Sequence, residues 1–147
     1  MDAEQRQKLT DLCTQQHVLV LSTVGEEWPT GHFQAFGQTP DLDLILIVLD
    51  GSGKYLNLLK NPHVTAVIDN RDTGDITKLD IIRATIQGTA REVQRDSAEW
   101  NELKDVFLKK NPFEEPFFGY DTLRMVRVAP KRISYADGPA NHFKVEM

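Results

Sequence analysis

The sequence predicts a mainly β protein, an antiparallel sheet or barrel with helices at its edges. Three observations carry this expectation. Strand-like segments outnumber helical ones, several are joined by short turns, and the first three strands lack the crossover helices of a parallel, doubly wound sheet. At 147 residues the chain is expected to be one domain, residues 1–147, long enough to bury its own core.

The elements follow in order. Ala3 to Gln15 is predicted helical: Glu, Gln, Lys and Arg lose little rotamer freedom there, and Leu9, Leu12 and Cys13 recur at helical spacing. Val18 to Val24 is apolar and β-branched, a buried strand. Gly25 to Pro29 turns the chain. Thr30 to Gly37 returns as a second strand, with Phe33 and Ala35 on one face and His32, Gln34 and Phe36 on the other. After a turn at Pro40-Asp41, Asp43 to Leu49 is apolar on both faces, which predicts a central strand. Asp50 to Gly53 breaks it. Lys54 to Lys60 then reads as a short helix with Tyr55, Leu58 and Leu59 on one face, stopped by Asn61-Pro62.

Val64 to Asp69 is a fourth strand, and Asn70 to Leu79 a polar loop. Asp80 to Val93 is a long fifth strand in which Gly88 marks a bulge or a close approach. Asp96-Ser97-Ala98-Glu99 reads as a capping box for a helix carrying Trp100, Leu103 and Phe107 and ending at Asn111-Pro112. The aromatics of Phe113 to Tyr120, a loop with one helical turn, read as core or interface, with core the default. Leu123 to Tyr135 is a sixth strand, interrupted by Pro130, and the tail Ala136 to Met147 shows no clear periodicity.

Composition narrows the function. Lys and Arg number 17 against 22 Asp and Glu, a net charge of −5, which argues against non-specific nucleic-acid binding while leaving room for one local basic pocket. The N-terminus is polar, and no apolar run approaches the roughly 20 residues of a membrane span. A cytoplasmic protein is the expectation. The single cysteine, Cys13, excludes an internal disulfide and lies on an apolar stripe, where an inert buried thiol is expected. His17, His32, His63 and His142 have no metal-ligand spacing, and no serine sits in a G-x-S-x-G turn, so neither a metal site nor a hydrolase triad is predicted.

The stretch richest in chemistry is Leu44 to Lys54. A buried strand runs through Asp50-Gly51-Ser52-Gly53 into a helix that opens on Lys54. The first amides of a helix have no intrahelical partner and, with the helix dipole, attract an anion. Ser52 offers a hydroxyl, Lys54 a full positive charge, and Gly51 and Gly53 close approach to the backbone. A terminal phosphate is the natural guest. The alternative is a plain Ser52 N-cap beside a solvated lysine. Neither the P-loop nor the Rossmann spacing occurs.

Leu21-Ser22-Thr23-Val24, Trp28-Pro29, Gly51-Ser52-Gly53-Lys54-Tyr55-Leu56-Asn57-Leu58-Leu59-Lys60-Asn61-Pro62-His63-Val64 and Arg83-Ala84-Thr85-Ile86-Gln87-Gly88-Thr89-Ala90 occur in that order. In this they resemble the flavin-binding split barrels of the pyridoxamine 5′-phosphate oxidase superfamily, over roughly Val18 to Val93. The resemblance implies an antiparallel split β-barrel that binds flavin mononucleotide (FMN) and transfers electrons or a hydride to a small substrate. It implies a homodimer with the flavin at the subunit interface. By position, Ser52, Gly53 and Lys54 match the phosphate-holding segment and His32 a basic residue on the second strand. Ile47 and Val48 match a strand end that contacts the cofactor. Arg83 matches a polar flavin contact, and Gln34 shares the His32 face. Two departures remove phosphate donors: Gly53 stands where the family has Arg, and Val48 where it has a hydroxyl.

Pyridoxamine-phosphate oxidation itself is not expected. No Trp follows Trp100, Arg124 to Pro130 only loosely matches the family's Arg-Leu-x-Pro element, and Gly37 stands where a substrate-contacting Lys usually does. The alternatives are haem or a deazaflavin on the same scaffold, and a binding module that has lost the site.

Overall fold

The computed structural model describes residues 1–147. Its order is α1 (Ala3–Gln15), β1 (Val18–Val24), β2 (Pro29–Ala35), β3 (Gly37–Gln38), β4 (Leu44–Leu49), α2 (Gly53–Lys60), β5 (His63–Asp69), β6 (Ile82–Val93), α3 (Ala98–Lys110), β7 (Leu123–Asp137) and β8 (Asn141–Glu146). Two 3-10 segments, Ile76–Lys78 and Pro112–Gly119, lie in the connections. The strands form one eight-stranded sheet in the order β2-β1-β5-β6-β7-β4-β3, with β8 also on β7 and every pairing antiparallel. This is the antiparallel barrel that the strand pattern predicts, in the split form that the resemblance implies.

The core has two compartments. Inside the barrel, Leu19, Leu21, Leu46, Ala66, Ile86 and Val128 pack together, and α1 adds Leu9, Leu12 and Cys13, the three residues of its predicted stripe. Between α3 and the outer side of β4 and β7, a second cluster joins Ile45, Ile47, Trp100, Leu103, Phe107 and Met125. β4 serves both: Leu44, Leu46 and Val48 face the barrel while Ile45 and Ile47 face α3. That is why its sequence is apolar at every position.

Several local expectations are corrected. Strand β7 is not interrupted by Pro130. Gln87 pairs with Arg132 and Gly88 with Pro130, so Lys131 has no partner on β6 and forms a bulge. The bulge lets the imino-acid nitrogen, which has no hydrogen to donate, sit within a continuous strand. A Cβ on Gly88 would meet Ala129 O at 2.6 Å, so the close approach is real as well.

The tail is strand β8, with Phe143 and Val145 alternating inward. The predicted capping box at Asp96 to Glu99 is a simple Ser97 cap on the amide of Trp100, and Glu99 instead pairs with Arg91 and with Arg127, the latter at 3.0 Å. A reciprocal box does form between Asp2 and Gln5 at the start of α1. Of the aromatics read as core, only Phe118 is buried, while Phe113, Phe117 and Tyr120 are exposed. Leu59 is likewise exposed, because α2 packs through Tyr55 and Leu58.

Candidate functional site

The sheet curls until its two ends, β2 and the β3–β4 pair, face each other across a seam. No backbone ladder closes it. β3 covers the free edge of β4 only at Leu44 and Ile45. Beyond that point Gln34, reaching inward from β2, donates through Nε2 to Ile47 O at 3.0 Å and ties the edges together. Its Oε1 accepts from Lys54 Nζ at 2.6 Å. One amide side chain therefore links strand β2, strand β4 and the first turn of α2.

Around this link lies a groove of about 300 Å³. Its walls are mostly apolar: Phe33 and Ala35 from β2, Ile47 and Val48 from β4, and Phe117 from the segment before β7. Ser52 and Lys54 supply polarity at one end and Glu114 supplies one carboxylate. Phe33 is 71% exposed, so its ring is open to a ligand in the groove.

Lys54 dominates the electrostatics. Burial lowers its pKa. No carboxylate lies within 4.0 Å of its ammonium. The first intrahelical bond of α2 runs from Leu56 N to Ser52 O, and Tyr55 N donates to the Ser52 hydroxyl at 3.3 Å. The amides of Gly53 and Lys54 are thus the ones without an intrahelical partner. A half-desolvated cation beside helix-start amides favours an anionic ligand.

The predicted residues do not all meet here. Gln34, Ile47, Val48, Ser52 and Lys54 line the groove together. The Val48 side chain is buried in the barrel, and its main-chain groups turn toward β7, the opposite way from Ile47 O. The hydroxyl of Ser52 donates to Leu49 O at 2.7 Å and caps α2, so its donor is already engaged. Gly53 needs no glycine: a Cβ there would meet nothing within 4 Å, and its φ is not positive. His32 does not reach the groove. It lies opposite Leu21 on the inward face of β2, and its Nε2 is buried without a hydrogen-bond partner. Arg83 is exposed on the outer face of β6, opposite Asp69, and one chain does not bring it to Lys54.

Sequence reasoning missed the Lys54–Gln34 bond and the exposed aromatic walls. Phe33 was legible in one respect: it breaks the alternation by placing a large apolar group on the face opposite Phe36. No cluster of three or more His, Cys, Asp or Glu side chains is placed to hold a metal, and no helix is long and apolar enough to cross a membrane.

An antiparallel barrel open along one seam, with a cationic helix start at that seam, defines a split-barrel protein. The chain belongs to the pyridoxamine 5′-phosphate oxidase family, whose family model matches residues 5–135. No curated protein sequence matches the chain. Solved structures share the fold at low identity. A heme binding protein from Mycobacterium smegmatis is 16% identical with a TM-score of 0.87, covering 99% of this chain, which spans 59% of that one. General Stress Protein 26 from Bacillus anthracis is 22% identical with a TM-score of 0.74, covering 98% of this chain and 99% of its own. HutZ, a heme storage protein from Vibrio cholerae, is 18% identical with a TM-score of 0.70, covering 93% and 92%.

Proposed function

We propose that the groove between β2 and β4 binds FMN and that the chain is a flavin-dependent oxidoreductase acting on a small substrate. The observation that carries this is Lys54, half-buried, without a carboxylate partner, and held by the neutral oxygen of Gln34 at 2.6 Å. Lys54 and the free amides of α2 would hold the phosphate. Phe33, Ala35 and Phe117 would flank the ring and keep water from it. The uncovered edge of β4 would offer main-chain groups to the ring's polar rim. Bound flavin would supply the electron or hydride transfer. Glu114 would face the ring end, since it opposes an anion near Lys54.

Arg83, being remote from the groove of its own chain, would act on the groove of a second copy in a homodimer. The absence of a side chain at Gly37 is structural: a Cβ there would lie 3.2 Å from Phe107 Cα, so α3 occupies the space a lysine would need. That supports a substrate other than pyridoxamine phosphate.

A second reading, haem binding, is supported by the names of the structural relatives from Mycobacterium smegmatis and Vibrio cholerae. The groove itself is lined by no His, Cys, Met or Tyr, the usual axial ligands. This favours flavin. Titration of purified protein with FMN, followed by flavin fluorescence and absorption near 450 nm, tests the proposal. Saturable binding that weakens about tenfold or more in Lys54→Ala, roughly 1.4 kcal/mol, is expected. A Soret band on haem addition with no response to FMN would replace flavin by haem.

A further inference from the structure

The β7 bulge has a chemical consequence at a place remote from Lys54. Along a regular strand successive side chains point to opposite faces. In β7 the inward residues are Val126, Val128 and Pro130 before the bulge, but Ile133 and Tyr135 after it. The phase change leaves Lys131 and Arg132, neighbours in sequence, both exposed on the outer face. Gly88 on β6 is what permits it, since a side chain there would strike Ala129 O at 2.6 Å and Val128 Cγ1 at 2.8 Å.

Lys131 and Arg132 line one side of a groove of about 410 Å³ on this face. His63 at the start of β5 lies on the other side, and Thr65, Gln87 and Thr89 form the floor. The Lys131 ammonium makes no ion pair or hydrogen bond. Arg132 has one loose contact, to the 85% exposed Glu146 at 3.9 Å. The chain as a whole is acidic, with a net charge of −5, so this concentration of cations is local. On β6 the groove begins at Gln87, four residues from Arg83 or about 13 Å along the strand.

We propose that this groove is a second anion site, built by the bulge to take the phosphate group of a small phosphorylated molecule. Two adjacent cations and an imidazole match a compact dianion, and hydroxyl and amide donors on the floor complete its hydrogen bonding. The net charge of −5 favours a compact anion over an extended polyanion. The site shares no residue with the groove at Lys54.

Calorimetric titration of the full-length Lys54→Ala variant with inorganic phosphate is the test, because that background removes the α2 anchor. Binding of one phosphate per chain is expected, weakened at least tenfold by adding Lys131→Gln and likewise by adding Arg132→Gln. Both side chains are exposed, so folding is unaffected, which circular dichroism checks. Absence of saturable phosphate binding, or an affinity indifferent to both substitutions, would overturn the site. Amine labelling of Lys131 is expected to be fast and slowed by phosphate. Slow labelling without phosphate would show the groove covered by a second copy and would equally overturn it.

Discussion

Two lysines show how one chemical group serves different ends. Lys54 meets a single neutral oxygen and faces a groove, whereas Lys110 is enclosed by Cys13 O at 2.7 Å, Gln38 Oε1 at 2.8 Å and the Phe36 ring at 3.5 Å. Lys110 fastens α3 to α1 and β3, and burial pulls its pKa from 10.5 to about 8. Burial pushes the Cys13 thiol from 9.0 to about 11. Between pH 8 and 10.5 the unfolded chain holds more protons at position 110, so the lysine makes stability rise with pH. Between pH 9 and 11 the folded chain holds more protons at position 13, so the thiol makes stability fall. The slopes oppose each other where they overlap. In Cys13→Ala the denaturation midpoint is therefore expected to climb from pH 8 to 10.5, and a flat profile in that variant would contradict the assignment. At position 53 the open space around Gly53 makes Gly53→Arg a gain-of-binding test. FMN affinity is expected to increase about tenfold, read by fluorescence quenching, with no loss of stability. Ser52 and Lys54 were legible in the sequence because helix-start chemistry is local. The bond from Lys54 to Gln34 was not, because 20 residues separate partners that only the curl of the sheet unites.

Among the elements, those with strong local signals stood where the sequence put them. α1 spans its predicted residues, and β4 is two-sided as its unbroken apolar run implies. What escaped was phase. A bulge changes which face a side chain occupies without changing composition, so Pro130 read as an interruption when it marks a shift of register. Strand β8 was overlooked although Phe143 and Val145 alternate with His142, Lys144 and Glu146, because six residues at a chain end give a weak period. The bulge is open to test through Gly88→Ala, whose methyl would crowd backbone on β7. A loss of about 1–3 kcal/mol is expected from the urea midpoint. A variant as stable as the parent would show that β6 and β7 can part at that point without cost.

On the scale of the whole molecule, the proposed role of Arg83 in flavin binding requires a second copy of the chain, since Arg83 lies outside its own groove. Light scattering is expected to give about twice the 16.7 kDa chain mass, and FMN affinity to fall in Arg83→Ala without change in that mass. A monomer that binds FMN at full affinity would remove Arg83 from the site. The fold class was legible because antiparallel pairing leaves short turns and alternating faces, whereas the location of the groove depended on how far the sheet curls, which no local pattern records. The barrel's circumference is completed at Gln34 by an amide side chain rather than by paired main chain. Such a join parts by rotation about a few side-chain bonds, while every strand keeps its neighbours. Slow hydrogen exchange in β1, β5 and β6 should therefore persist while the free edge of β4 exchanges fast, and a planar guest can enter sideways without any strand unzipping.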